Sequence, residues 1–205
     1  MQADDIQKYL TLMEEVKLRV KAIDALLAKA SPDIPQFVSV ESIGLQFRKV
    51  LELIAFGSLI SNKSAYTGMY DDFAKTWNAE LLLKDLERVN PDFYPQPVLE
   101  HRNPEVGIDA KLESMKSGFL TRKAFVKVYK KCGALVHASN PNGSKIDYLF
   151  YSSRFPIWRQ EIVNLLRSHR IRLTGSETFY LVHVEERHDG KARHYTLEPR
   201  AVTGA

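Results

Sequence analysis

His137 and Lys130 are the two residues whose types and spacing are best suited to chemistry. On one helix they would point within about 20° of each other and lie roughly 10 Å apart along the axis. Gly133 would project between them and leave that surface bare, so that a substrate backbone could approach closely. An imidazole can transfer a proton and an ammonium group can hold a phosphate. The alternative is a histidine that caps the helix C-terminus beside an ordinary solvated lysine.

Arg48 and Glu52 form a second candidate pair. Glu52 is the only charge within the apolar run from Val50 to Ile60, and Arg48 precedes it by one helical turn on the same side. A buried carboxylate needs a partner or a raised pKa. Arg48 and Glu52 are therefore either part of an active site or a structural ion pair inside the protein. Cys132 falls on the apolar stripe of its own helix, which favours a buried thiol over a nucleophile.

The charge of the chain is unevenly distributed. The net charge is +4, but residues 1–119 carry −4, residues 120–172 carry +9 and residues 173–205 carry −1. A basic field around a candidate acid–base group suits an anionic partner, so we expect RNA or a phosphate-bearing ligand. The predicted nucleic-acid-binding residues are Arg122, Lys123, Lys127, Lys131 and Asn140.

The periodicity of apolar residues predicts a mainly α protein. Helices are expected over residues 4–29, 39–62, 72–89, from Thr121 to about Asn140, and 147–170. We expect these four to five helices to form an antiparallel helical bundle over residues 1–172, with a long loop at 94–118. Residues 173–205 are expected to form a C-terminal β-hairpin appendage and tail. A two-residue turn at Asp189-Gly190 would pair Val184 with Tyr195.

Several classes of protein are excluded by composition. No apolar run reaches the ~18–20 residues that a membrane span needs. The first residues lack the basic and apolar regions of a signal peptide. One cysteine can form neither an internal disulfide nor a Cys-rich zinc site, and the glycine-rich phosphate motifs are absent. We therefore expect a cytoplasmic protein with no metal, no cofactor and no membrane segment.

Three stretches of the sequence resemble known protein families. Residues 45–55, 84–95 and 129–141 resemble a family of uncharacterised bacterial proteins, and this likeness covers about residues 40–141. More distantly, the pattern is similar to the HEPN superfamily of small helical bundles. The HEPN ribonuclease signature is an arginine, four to six residues of any kind and a histidine, late in the domain. Here Lys130 and His137 enclose six residues, with lysine in the place of arginine.

The resemblance implies a metal-independent endoribonuclease of a phage-defence or toxin–antitoxin system. His137 would act as general acid–base, Lys130 would hold the phosphate, and two copies would meet in a homodimer, with a cognate antitoxin or another partner protein. Lysine lacks the planar fork of arginine, which favours a second class, a non-catalytic module that binds nucleic acid, nucleotide or protein. A third class is a structural or regulatory protein whose hairpin mediates assembly.

Overall fold

The computed structural model describes residues 3–28, 33–62, 78–102, 110–138, 145–172, 179–186 and 188–197. These ranges hold five helices and five strands, so the protein is mainly helical with an antiparallel sheet. The helices are α1 (Ala3–Ala28), α2 (Gln36–Ser61), α3 (Ala79–Val89), α4 (Arg122–Leu135) and α5 (Tyr148–Leu166). The strands are β1 (Gln96–Arg102), β2 (Ala110–Ser114), β3 (Ser168–Arg172), β4 (Phe179–His183) and β5 (Arg193–Leu197).

Helix α2 is the central element, as its nearly all-apolar middle predicts. It packs against α1, α3, α4 and α5. Two glycines of α2 allow close approaches: a Cβ on Gly57 would lie 3.0 Å from the Tyr9 ring of α1, and one on Gly44 would lie 2.5 Å from Leu135 Cδ1 of α4. Because these positions lack a side chain, the neighbouring helices come close enough to bury Tyr9 and Leu135 almost completely.

Side-chain caps fix where three helices begin. Thr121 Oγ1 accepts the N–H of Ala124, as predicted, and Asp147 Oδ1 accepts the N–H of Phe150. Asn78 is extended, and its side chain accepts the N–H groups of Glu80 and Leu81. Helix α3 therefore begins at Ala79, and the expected start at residue 72 lies outside the described residues.

Two predicted helix ends were wrong. Helix α4 ends at Leu135 and not near Asn140, because the N–H of Val136 bonds to the carbonyl of Gly133 rather than continuing the α-helical pattern. Helix α5 ends at Leu166 and not at Arg170. The buried imidazole of His169 lies 2.9 Å from Leu166 O and caps that carbonyl, after which the chain continues as β3.

The expected hairpin appendage is instead part of a five-stranded antiparallel sheet with the order β2-β1-β3-β4-β5. The segment expected to be a loop over residues 94–118 supplies β1 and β2. Strand β4 pairs with β3 from Ser168↔His183 to Arg172↔Phe179. The sheet thus joins strands from both sides of residue 172, and the lone-hairpin prediction was wrong because β3, which pairs with β4, also pairs with β1, a strand that is distant in sequence.

The predicted register of the last hairpin was also wrong. The N–H of Glu186 bonds to Lys191 O and the N–H of Gly190 bonds to Glu186 O, so the connection is wider than a two-residue turn. Tyr195 therefore lies opposite Leu181 rather than Val184. A shift of three residues exchanges the two faces of a strand.

Candidate nucleic-acid interface

Three lysines form a regular row along the exposed side of α4. Lys123, Lys127 and Lys131, here called the lysine stripe, are each separated by four residues, so successive positions rise by about 6 Å. All three are exposed, while Phe125 and Cys132 on the opposite side of the helix are completely buried. Among the described residues, no carboxylate forms an ion pair with any of the three lysines. Lys131 Nζ lies 5.0 Å from the centroid of the Phe150 ring, a contact that does not neutralise its charge, so the charge of all three lysines is available to an anionic ligand.

Two other predicted basic residues are engaged with α3. Lys130 Nζ lies 2.8 Å from Glu80 Oε1, and Arg122 Nη1 lies 2.6 Å from Glu87 Oε2. Both ion pairs tie α4 to its neighbour at partly exposed positions, where such pairs contribute little to stability. The paired carboxylates also cancel the local positive charge, so Lys130 and Arg122 attract an anion less than the lysine stripe does.

Arg48 and Glu52 form the predicted ion pair. Arg48 Nε lies 3.1 Å from Glu52 Oε1, and Arg48 Nη2 donates to Tyr129 Oη at 2.8 Å. The guanidinium also stacks on the Tyr129 ring, 4.4 Å from its centroid. A Cβ on Gly133 would lie 2.7 Å from Arg48 Nη1. The space above Gly133, which we expected to be open to a substrate, is therefore occupied by Arg48.

Tyr129 and Cys132, which lie beside Arg48, are held in their neutral forms. Burial raises the pKa of Tyr129, although the nearby guanidinium opposes this shift. Burial also raises the pKa of the Cys132 thiol to about 12. A thiol with such a pKa remains protonated near neutral pH, so Cys132 is a core side chain and not a nucleophile.

His137 lies two residues beyond the end of α4 and is exposed. The seven-residue helical spacing from Lys130 therefore does not extend to it, and the two residues do not share one helical face as expected. Asn140 falls outside the described residues. The fold places the Arg48 guanidinium against the last turns of α4. The catalytic roles expected for Arg48, Glu52, Lys130 and His137 stay predictions.

Sequence reasoning missed a group of polar and aromatic residues on one face of the sheet. Arg170 and Arg172 of β3 both lie over the Phe179 ring, with Cζ 5.4 and 5.2 Å from its centroid. His183 and Tyr195 have ring centroids 5.2 Å apart. The alternation from Ser168 to Arg172 is the signal that could have revealed β3, because basic side chains alternate there with buried ones.

The described ranges show no arrangement typical of a metal centre or of a membrane span. No cluster of three or more His, Cys, Asp or Glu residues in them is arranged to hold a metal ion. None of the helices in these ranges is sufficiently long and apolar to cross a membrane. Comparisons with protein-family models, with curated proteins and with solved structures found no match to this chain.

Proposed function

We propose that this protein is an HEPN-like helical protein that binds RNA through the lysine stripe of α4. The observation that carries the proposal is the row of Lys123, Lys127 and Lys131, exposed, evenly spaced and without ion pairs among the described residues. Lysines at positions that rise by about 6 Å can each contact a phosphate along one strand, and such contacts are independent of sequence. The proposal includes an antiparallel bundle, a cytoplasmic homodimer and a cognate antitoxin or other partner protein.

The salt dependence of RNA binding tests the lysine stripe. Three phosphate contacts on single-stranded RNA predict a slope of about −2 in a plot of log affinity against log salt. Replacing Lys123, Lys127 and Lys131 together by Gln should remove most of that slope and weaken binding in low salt. The measurement is fluorescence anisotropy with a labelled ten-nucleotide oligomer.

The matched control replaces Lys8, Lys21 and Lys116 by Gln. These exposed lysines lie elsewhere, and the change in net charge is the same. We expect the control to retain the slope of the unmodified protein. Equal weakening by both triple variants, or a flat salt response of the unmodified protein, would contradict binding by the stripe.

A second candidate function is metal-independent RNA cleavage. It is favoured by the guanidinium of Arg48, which lies against Gly133 of the segment between Lys130 and His137. Once released from Glu52 and Tyr129, this guanidinium would provide the planar phosphate-binding fork that lysine lacks. In this reaction His137 would move a proton at the 2′-hydroxyl or at the leaving oxygen while Arg48 holds the phosphate.

Cleavage of labelled RNA in the presence of EDTA tests this second function. We expect His137→Ala to lower the cleavage rate by about 10²–10⁴-fold, the usual contribution of a general acid–base group. Arg48→Lys should also slow cleavage, because it keeps the charge but loses the fork. If the unmodified protein and His137→Ala cleave equally, or if neither cleaves, the protein is not this ribonuclease.

A further inference from the structure

The register of the five strands defines a face of the sheet that points away from the hydrophobic core. Partners in antiparallel strands lie on the same side, so each strand contributes alternate residues to this open face. Ile171 and Val182 on the opposite side join the main buried core, whereas Val98 and Leu181, in the middle of this side, are buried outside that core at 4% and 6% exposure. The open face consists of Leu112, Ser114, Gln96, Val98, Glu100, Ser168, Arg170, Arg172, Phe179, Leu181, His183, Arg193, Tyr195 and Leu197.

Arginines and aromatic rings are interleaved on this open face. Arg170 and Arg172 flank the Phe179 ring, and Tyr195 lies on the next strand, 44% exposed. Arg170 Nη2 donates to the neutral side chains of Gln96 and Ser114, while its buried Nε has no hydrogen-bond partner among the described atoms. Arg170 therefore carries a charge that no described carboxylate neutralises.

The acidic groups of the open face lie toward its other end. Glu100 lies 2.8 Å from His183 Nε2, and Glu186 accepts a hydrogen bond from the Tyr195 hydroxyl. Arg172 is 3.4 Å from Asp92, and Arg193 is 2.9 Å from Asp189. The end that holds Arg170, Arg172 and Phe179 thus has two arginines against one described carboxylate, that of Asp92, and is the more basic one. It places a stacking surface directly beside cations, which is the combination that a nucleotide requires.

We propose that the open face is a stacking platform for unpaired bases of single-stranded RNA. Phe179 and Tyr195 are diagonal neighbours on adjacent strands, because Phe179 pairs with Leu197 and Leu181 pairs with Tyr195. Diagonal neighbours are about 7–8 Å apart, roughly twice the 3.4 Å between stacked bases of one strand. One base on the Tyr195 ring and one on the guanidinium groups that cover Phe179 therefore require an unstacked single strand, with its phosphates near Arg170 and Arg172. Aromatic rings and guanidinium planes both serve as stacking surfaces in such sites.

This inference rests on the proposed RNA binding, but it concerns a different surface and a different contact. The lysine stripe contacts phosphates, whereas the open face contacts bases. The experiment therefore compares a U8 oligoribonucleotide with an abasic oligomer of the same length and charge. Affinities of the full chain are measured by anisotropy for the unmodified protein, Tyr195→Ala, Tyr195→Phe and the triple Lys123/Lys127/Lys131→Gln variant.

We expect the unmodified protein to bind U8 more tightly than the abasic oligomer. Tyr195→Ala should weaken U8 binding by about 5- to 100-fold and leave abasic binding unchanged, since each stacked base contributes such a factor. Tyr195→Phe should retain the preference, because it keeps the ring and loses only the hydroxyl bond to Glu186. Phe37→Ala is the matched control, since Phe37 is an aromatic residue of α2 with 48% exposure, and it should behave like the unmodified protein.

The possible failures can be distinguished from one another. Equal affinity for U8 and the abasic oligomer would overturn the platform while leaving phosphate binding intact. Loss of the preference in Phe37→Ala as well as in Tyr195→Ala would also overturn it. No binding of either oligomer would overturn the proposed function itself. Sedimentation of the unmodified protein and of Tyr195→Arg tests whether a second copy of the chain covers the open face. A stable dimer that Tyr195→Arg dissociates, in a protein that does not prefer U8, would assign the open face to a dimer interface instead.

Discussion

At the scale of single residues, His169 has an unusual environment. It is completely buried, its Nδ1 lies 2.9 Å from Leu166 O, and its Nε2 lies 2.7 Å from the hydroxyl of the equally buried Tyr9. Since a carbonyl only accepts, Nδ1 carries the proton and Nε2 accepts from Tyr9. The neutral ring therefore satisfies both of its nitrogens, whereas a second proton would place a positive charge in a fully buried site.

The neutral state of His169 predicts a loss of stability in acid. Burial lowers its pKa to about 4, below the value near 6.5 of an unfolded chain. Its contribution is complete above about pH 6.5 and falls away as the pH drops toward 4, by about 3 kcal/mol in total. Urea unfolding at a series of pH values should show this decline. His169→Gln should flatten it and the exposed His101→Gln should not. A decline of the same size in His169→Gln would contradict the assignment.

Residue types alone predicted some of the chemistry of the candidate site. The burial of Cys132 and the pairing of Glu52 with Arg48 follow from the apolar residues that surround them in sequence. Gly133 was identified as a position of close approach, but the approaching group is the Arg48 side chain and not a ligand. The sequence could not reveal this, because the angle at which α2 crosses α4 depends on packing between distant segments.

At the scale of elements, the α2–α4 contact depends on two glycines with different neighbours. A methyl group on Gly44 would meet Leu135 at both Cδ1 and Cβ, at 2.5 and 3.3 Å, inside the core. A methyl group on Gly133 would meet only the flexible end of Arg48. The first neighbour cannot move without disturbing the packing of the helices, whereas the second can rotate away.

The two alanine substitutions should therefore differ in the sign of their effect on the free energy of unfolding. Alanine improves the helix propensity of either position by about 1 kcal/mol. Overpacking costs about 1–3 kcal/mol, so Gly44→Ala should lower the free energy of unfolding by about 1 kcal/mol. Gly133→Ala should leave it unchanged or raise it by up to about 1 kcal/mol. Parallel urea titrations measure the difference, and equal destabilisation by both would show that Arg48 is held rigidly.

Strand β3 shows why element boundaries were harder to predict than element types. Apolar residues at helical spacing continue from α5 as far as Leu166, and Ile171 lies eight residues after Val163, a spacing that a helix would also allow. The alternation of exposure from Ser168 to Arg172 is only five residues long. What determines the strand is its pairing on both sides with β1 and β4, and that information lies outside the local sequence.

At the scale of the whole molecule, the helices were largely predictable and the sheet was not. The apolar periodicity of α1 and α2 and the cap at Thr121 are local signals. The sheet instead brings together three regions, with β1 and β2 from before α4, β3 directly after α5, and β4 with β5 beyond it. The open face with Arg170, Phe179 and Tyr195 exists only once these regions pair, so no inspection of one segment could have revealed it.

The buried contact between Tyr9 and His169 also constrains the synthesis of the protein. The two residues are 160 positions apart. At ordinary translation speeds, about 5–20 residues per second, Tyr9 is synthesised roughly 10–30 s before His169. Throughout that interval the Tyr9 side of α1 remains without its partner on the emerging chain. The nascent polypeptide therefore presents an apolar surface to chaperones and proteases, and completes its fold only after β3 has left the ribosome.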